Sequence, residues 1–119
     1  MLDKIGEIRK DVIEVLGILT SSGTPIYIGH TNIRHMANSH KNDYLKYGKH
    51  IRVIVNDPDF VGLNPKDGSI EYVKVFKVDN DFVKVAVRVS SSGRYFARSL
   101  YVLNSNRVNN FIKKGTDWG

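Results

Sequence analysis

Phe82-Val83-Lys84-Val85-Ala86-Val87-Arg88-Val89-Ser90 places a valine at every second position. Successive side chains of a strand point to opposite faces, so Val83, Val85, Val87 and Val89 line one face and Lys84, Ala86 and Arg88 the other. A helix would scatter the valines around its circumference; 82–90 therefore reads as a strand with one buried side. The turn residues around it fix its neighbours. Asp79-Asn80-Asp81 makes a tight hairpin connection to a strand over 70–78, and Ser91-Ser92-Gly93 turns the chain into a third long strand over 94–103. Asn64-Pro65-Lys66-Asp67-Gly68 is turn chemistry ahead of the first of these. The C-terminal half thus reads as an antiparallel meander.

Before residue 63 the apolar period is close to 3.6. Ile5, Ile8, Val12, Val15, Leu16 and Leu19 recur at spacings of three and four, with Asp3, Lys4, Glu7, Lys10, Asp11 and Glu14 between them. That pattern predicts an amphipathic helix over 3–19, stopped by Ser21-Ser22-Gly23. Thr24–Gly29 reads as a short strand opened by Pro25. Thr31 is a predicted N-cap for a helix over 32–39. A second helix is expected over 43–56, with Leu45, Ile51, Ile54 and Val55 as its apolar side and a break at Gly48. Pro58 ends it, because proline disfavours helical geometry in the residue before it. Residues 105–114 predict a closing helix with Val108, Phe111 and Ile112 inward and Lys113 and Lys114 at its C-terminus; 116–119 are a tail. The expected fold is a single α+β domain over 1–119, with N-terminal helices packed on one face of an antiparallel β-meander and a short C-terminal helix. The valine face should meet the helices, leaving Lys84 and Arg88 on the open face.

The charge narrows the partners. Eighteen Lys and Arg against twelve Asp and Glu give a net charge of +6, which attracts polyanions such as RNA, DNA or an anionic surface. Cysteine is absent, which excludes disulfides and thiolate zinc sites. No apolar run approaches the roughly 20 residues that span a bilayer, and Met-Leu-Asp-Lys does not open like a secretory signal. A soluble, cytoplasmic protein without a membrane partner is expected.

Three of the four histidines, His30, His35 and His40, fall between Gly29 and Lys41 beside Arg34, and His50 follows. Histidine gives and takes protons near neutrality. On a continuous helix His35 and His40 would lie about 140° apart, so they are not the i, i+4 metal pair of an HExxH helix. With no cysteine and no carboxylate in the run, no metal is expected. A helix ending near Ser39 would free His40 to turn toward the same pocket as His35. RNA can be cleaved without a metal because its own 2′-OH is the nucleophile; the protein supplies a base, an acid and donors for the phosphate charge. Lys74, Lys84, Arg88, Arg94 and Arg98 are the available cations, and Ser99 and Tyr101 are neutral donors. His30 and Arg34, with Lys74, Lys84 and Arg98, are the candidate substrate-binding residues. Strand alternation puts Ser99 and Tyr101 on one face with Tyr95 and Ala97, opposite Arg98. Tyr101 could stack on a base, whereas Tyr44, Tyr47 and Tyr95 are assigned to packing. Asp57-Pro58-Asp59 is read as a helix stop and turn. No phosphate-binding glycine loop is present, and no cofactor is expected.

His35-Met36-Ala37-Asn38-Ser39-His40, followed by 51–55 leading into Asn56-Asp57-Pro58-Asp59-Phe60-Val61, resembles the phage-associated nucleases of the barnase–EndoU–colicin–RelE group. Glu71-Tyr72-Val73-Lys74, Val85-Ala86-Val87-Arg88 and Arg98-Ser99-Leu100-Tyr101-Val102-Leu103-Asn104 match the strands of such domains. The resemblance covers 25–114, with 1–22 as an elaboration. It implies a metal-independent endoribonuclease of phage or mobile-element toxin type, acting on RNA such as tRNA and paired with a cognate inhibitor or antitoxin. By the same resemblance His35 and His40 transfer protons, Lys74 and Arg88 hold the phosphate, and Ser99 and Tyr101 donate to it, giving His35, His40, Arg88, Ser99 and Tyr101 as the catalytic set. Two other readings stand beside it: a noncatalytic nucleic-acid-binding module using the same basic sheet, and an interaction protein working through residues 3–19.

Overall fold

A computed structural model describes residues 2–114 and 116–117, and its centre is a mixed sheet in the order β1-β2-β6-β5-β4-β3-β7. The strands are β1 Leu2–Ile8, β2 Thr24–Gly29, β3 Phe60–Leu63, β4 Ile70–Phe76, β5 Asp81–Val89, β6 Tyr95–Val102 and the two-residue β7 Thr116–Asp117. The helices are α1 Lys10–Leu16, α2 His30–Ser39, α3 Lys41–Tyr47, α4 Ile51–Asn56 and α5 Ser105–Lys114. The β4–β5–β6 meander is present as expected, with Tyr72 opposite Val85 and Val85 opposite Leu100. Val83, Val85 and Val87 are fully buried with Tyr72, Ala97 and Leu100, and they meet Met36, Ile51, Ile54 and Val55 of the helices.

The simple antiparallel meander with helices leading is overturned. The chain opens with a strand, and β2 runs parallel to β6 through Ile26–Tyr95 and Tyr27–Phe96. Residues 3–19 are not one helix. β1 pairs antiparallel with β2, and a register shift between Lys4 and Gly6 inserts Ile5 as an extra residue. That bulge lets Ile5 and Ile8, three apart, both enter the core, so their spacing imitates a helical period. Helix α1 begins only at Lys10 and stops at Gly17, whose left-handed φ of 66° and N–H bond to the Ile13 carbonyl close it well before Ser21-Ser22-Gly23. Leu19 is fully exposed.

The strand β3 is an addition to the expected pattern, and β7 pairs with it where a tail was expected; Gly115, Trp118 and Gly119 lie outside the described residues. The side chain of Lys114 also lies outside them. Two local details differ. The N–H of Gly29 donates to Asn32 Oδ1 at 2.9 Å, so the first turn of α2 is capped from Asn32 rather than Thr31. Leu45 is exposed, and Tyr47 takes its place in the core. The break at Gly48 is real: one turn of 3₁₀ helix, Gly48–His50, separates α3 from α4. The Asp57-Pro58-Asp59 turn also forms, with Asp59 Oδ2 accepting the Val75 N–H at 2.7 Å.

The helices do not all share one side. On the face opposite the valines, Phe60 stacks on Phe82 and meets Phe111 of α5 edge-on. Helix α5 therefore covers one end of the second face. Ile112, expected inward, is about half exposed.

Candidate functional site

The uncovered part of the second face is a groove with β5 and β6 as its floor. Register pairs Lys84 with Tyr101 and Ala86 with Ser99, so these four side chains stand on the face opposite Val85 and Leu100. The small Ala86 keeps the middle of the floor low. Helix α2 forms one wall where β2 and β6 diverge, anchored by Met36 in the core and Ile33 against it. The β3–β4 loop forms the other wall, and α5 closes the far end.

A β-bulge shapes the floor. After Ala86–Ser99 the register shifts, and Val87 pairs with Ala97, leaving Arg98 as the extra residue. Plain alternation would place Arg98 opposite Ser99; the bulge puts both on the lining of one cleft of about 420 Å³, together with His35, Thr31, Asn32, Asp67, Ser69, Ala86 and Arg88. By the same shift Ala97, buried in the core, no longer shares a face with Ser99 and Tyr101. Arg98 also lines the adjoining hollow at the start of α2, with His30, Phe96 and Ser90.

Within the cleft His35 is exposed, with Nε2 3.5 Å from Ser39 Oγ one turn later on α2. Arg88 Nη1 lies 3.5 Å from the Asp67 carboxylate, a contact between partly exposed groups that leaves the other guanidinium donors for an incoming phosphate. The Ser69 N–H, at 2.9 Å, holds the Asp67 carboxyl below its ordinary pKa, and the Arg88 charge adds to this. Asp67 therefore stays ionised and aims Arg88.

A second cluster continues the floor toward α5. Helix α2 ends at Ser39, and His40 turns out of the helix to stack on Tyr101, with centroids 4.7 Å apart and an interplanar angle of 24°. Arg107 of α5 donates to the Tyr101 hydroxyl at 3.1 Å. Lys84 Nζ lies 4.9 Å from the centre of the same ring and bonds Glu71 at 2.8 Å, both side chains being nearly buried, at 13% and 12% exposure. Burial disfavours the Lys84 ammonium, but the Glu71 and Tyr101 contacts outweigh it and hold its pKa above the ordinary value.

The structure thus gathers His35, Arg88, Arg98 and Ser99 in one cleft and His40, Tyr101 and Lys84 immediately beyond it; His30 sits at the near mouth. Two of the expected residues are elsewhere. Lys74 pairs with Val83 in register, which puts it on the helix face, where its Nζ bonds the Asp57 carbonyl at 2.7 Å and carboxylate at 3.2 Å. A single-residue offset along β4 separates Lys74 from the face of Lys84. Arg34 is exposed on α2 and does not line the cleft. The sequence reading did not single out Asn32, Asp67, Ser69, Glu71 or Arg107. Asp67 was visible only as a turn residue and Ser69 in no motif, and no periodic signal marks either. Among the described residues no three His, Asp or Glu side chains converge as metal ligands, and no helix is long and apolar enough to cross a membrane.

A sheet groove lined with arginine, histidine and hydroxyl side chains is suited to a phosphodiester backbone. The chain belongs to the phage-Barnase-EndoU-ColicinE5/D-RelE like nuclease 3 family, whose model matches residues 3–110. The match takes in β1 and α1 as well as the meander. Comparison with curated proteins and with solved structures gave no match.

Proposed function

We propose that this nuclease is a metal-independent endoribonuclease of the phage or mobile-element toxin type, and that the groove on the second sheet face is its active site. The observation that carries the reading is the convergence of His35, Arg88, Arg98 and Ser99 on one cleft from α2, β5 and the β6 bulge.

The chemistry assigned to these groups is transesterification. His35 takes the proton of the 2′-OH as that oxygen attacks phosphorus; the new O2′–P bond forms and the P–O5′ bond breaks. His40 supplies the proton to the departing 5′-oxygen, leaving a 2′,3′-cyclic phosphate and a 5′-hydroxyl. Arg88 and Arg98 face the non-bridging oxygens, where guanidinium geometry suits a phosphate. Ser99 donates to the same oxygens, and Tyr101, polarised by Arg107 and Lys84, donates from the adjoining position. Asp67 serves this set by orienting Arg88.

Purified protein incubated in EDTA with single-stranded RNA and tRNA tests the reading. The expected result is cleavage that survives chelation and falls by about 10²-fold or more in His35→Ala. A folded protein that binds RNA without cutting it would move the assignment to a nucleic-acid-binding module.

A further inference from the structure

Beyond the cleft, where the floor passes under α5, lies a separate cavity of about 290 Å³ between the β3–β4 loop and α5. Leu103 and Phe111 give it apolar walls, Glu71 and Lys84 are polar groups in its lining, and Arg107 and Asn110 contribute from α5. Its size sits at the lower end of the roughly 300–1,000 Å³ of small-ligand pockets. Lys84 and Tyr101 are each two residues along their strands from Ala86 and Ser99, so the cavity begins about 6.6 Å from the centre of the cleft floor. That is within reach of a base attached to a phosphate held there.

The polar chemistry selects what can enter. Glu71 Oε2 is occupied by Lys84 at 2.8 Å and by the Asn64 amide at 3.5 Å, while Oε1 has no partner among the described residues. A carboxylate only accepts hydrogen bonds, so Oε1 calls for a donor. A base amino group provides one, as when Glu accepts from cytosine N4. Uracil and thymine present carbonyl oxygens on either side of a single N–H, and those oxygens would face the carboxylate. The aromatic wall of Phe111 and the nearby Arg107 guanidinium are the surfaces on which unstacked bases rest.

We propose that this cavity is a nucleobase subsite of the groove, taking an unpaired base that carries an exocyclic amino group and rejecting uracil and thymine. The proposal rests on the nuclease reading of the groove. Glu71 accepts from the amino group, and Lys84, bonded to its other oxygen at 2.8 Å, holds the carboxylate in place.

The test uses fluorescein-labelled 2′-deoxy tetranucleotides, which lack the attacking hydroxyl and cannot be consumed by the proposed chemistry. One set carries a single A, C or G in a thymine background; the reference is all thymine. At least one amino-bearing oligonucleotide should bind about tenfold more tightly than the reference, the effect of one charge-assisted hydrogen bond. Asn110→Trp, at an exposed position of the α5 wall, should fill the mouth and abolish that preference. Glu71→Gln should weaken it, because a neutral amide oxygen accepts less strongly than a carboxylate. Equal affinity for all four oligonucleotides, or a preference that survives Asn110→Trp, overturns the subsite. If that base-independent binding is weakened by Arg88→Ala, the groove stands and the subsite alone falls; if no oligonucleotide binds, both fall.

Discussion

Arg98 reaches the cleft only because β6 carries one more residue than β5 at that point, and its partner Arg88 is aimed by a carboxylate from a loop. Replacing either arginine by alanine should lower kcat/KM for RNA by about 10²-fold, the usual effect of removing one preorganised donor from developing charge. Lys74→Ala should leave kcat/KM within about threefold, since Lys74 sits on the opposite face bonded to Asp57. A steady-state comparison of the three variants checks both statements. The Glu71–Lys84 pair belongs to stability as well as to the groove: with both side chains nearly buried, Glu71→Ala leaves an uncompensated ammonium and should cost about 3 kcal/mol in urea unfolding at neutral pH. Because the folded-state pKa of Lys84 is raised, its contribution is fully present below about pH 10.4 and is lost as pH rises through the raised value. His35, Arg88 and Ser99 were legible from residue type and spacing. The companionship of Arg98 and Ser99 was not, because period-2 alternation fails across a bulge and the sequence does not announce where the bulge falls.

At the scale of elements, β1 is tied to α4 by side chains that close on its backbone. Arg52 Nη1 donates to the Lys4 carbonyl at 2.7 Å and Asn56 Nδ2 to the Ile5 carbonyl at 2.8 Å. Gly6 lies under this clasp, and a Cβ there would stand 2.6 Å from Asn56 Oδ1. Gly6→Ala should therefore destabilise the fold by about 1–3 kcal/mol, although alanine is the better helix former; equilibrium denaturation reads the loss. If residues 3–19 were a helix, the same substitution would stabilise. The meander, the strand at Thr24–Gly29, the helix around His35 and the break at Gly48 all follow from local pattern. The N-terminal strand does not, because a bulge at Ile5 gives two core residues a spacing of three. The strand β3 was hidden for a different reason: four residues interrupted by Gly62 are too few to show a period, and pairing with β4 creates the element.

Over the whole molecule, a net charge of +6 draws polyanions to the surface, while the arrangement of strands and helices decides where one can be cut. Binding to single-stranded RNA should weaken with salt, and removal of Arg88 or Arg98 should each reduce the slope of log K against log salt by about 0.7, the release of one phosphate contact. Surface lysines away from the groove should change that slope far less. The charge and the absence of cysteine were legible from composition, and the ordered set of motifs from His35 to Asn104 pointed to the family. The parallel β2–β6 junction that opens the wall for α2 was not legible, because it depends on pairing between residues 69 apart in the chain. The most direct test of the account is the chemistry of the cut ends, read by phosphorus NMR on a short RNA digested in EDTA. A 2′,3′-cyclic phosphate with a 5′-hydroxyl, and no cleavage of the matching DNA, is the predicted result. A 5′-phosphate end, or DNA cut as readily as RNA, would contradict it.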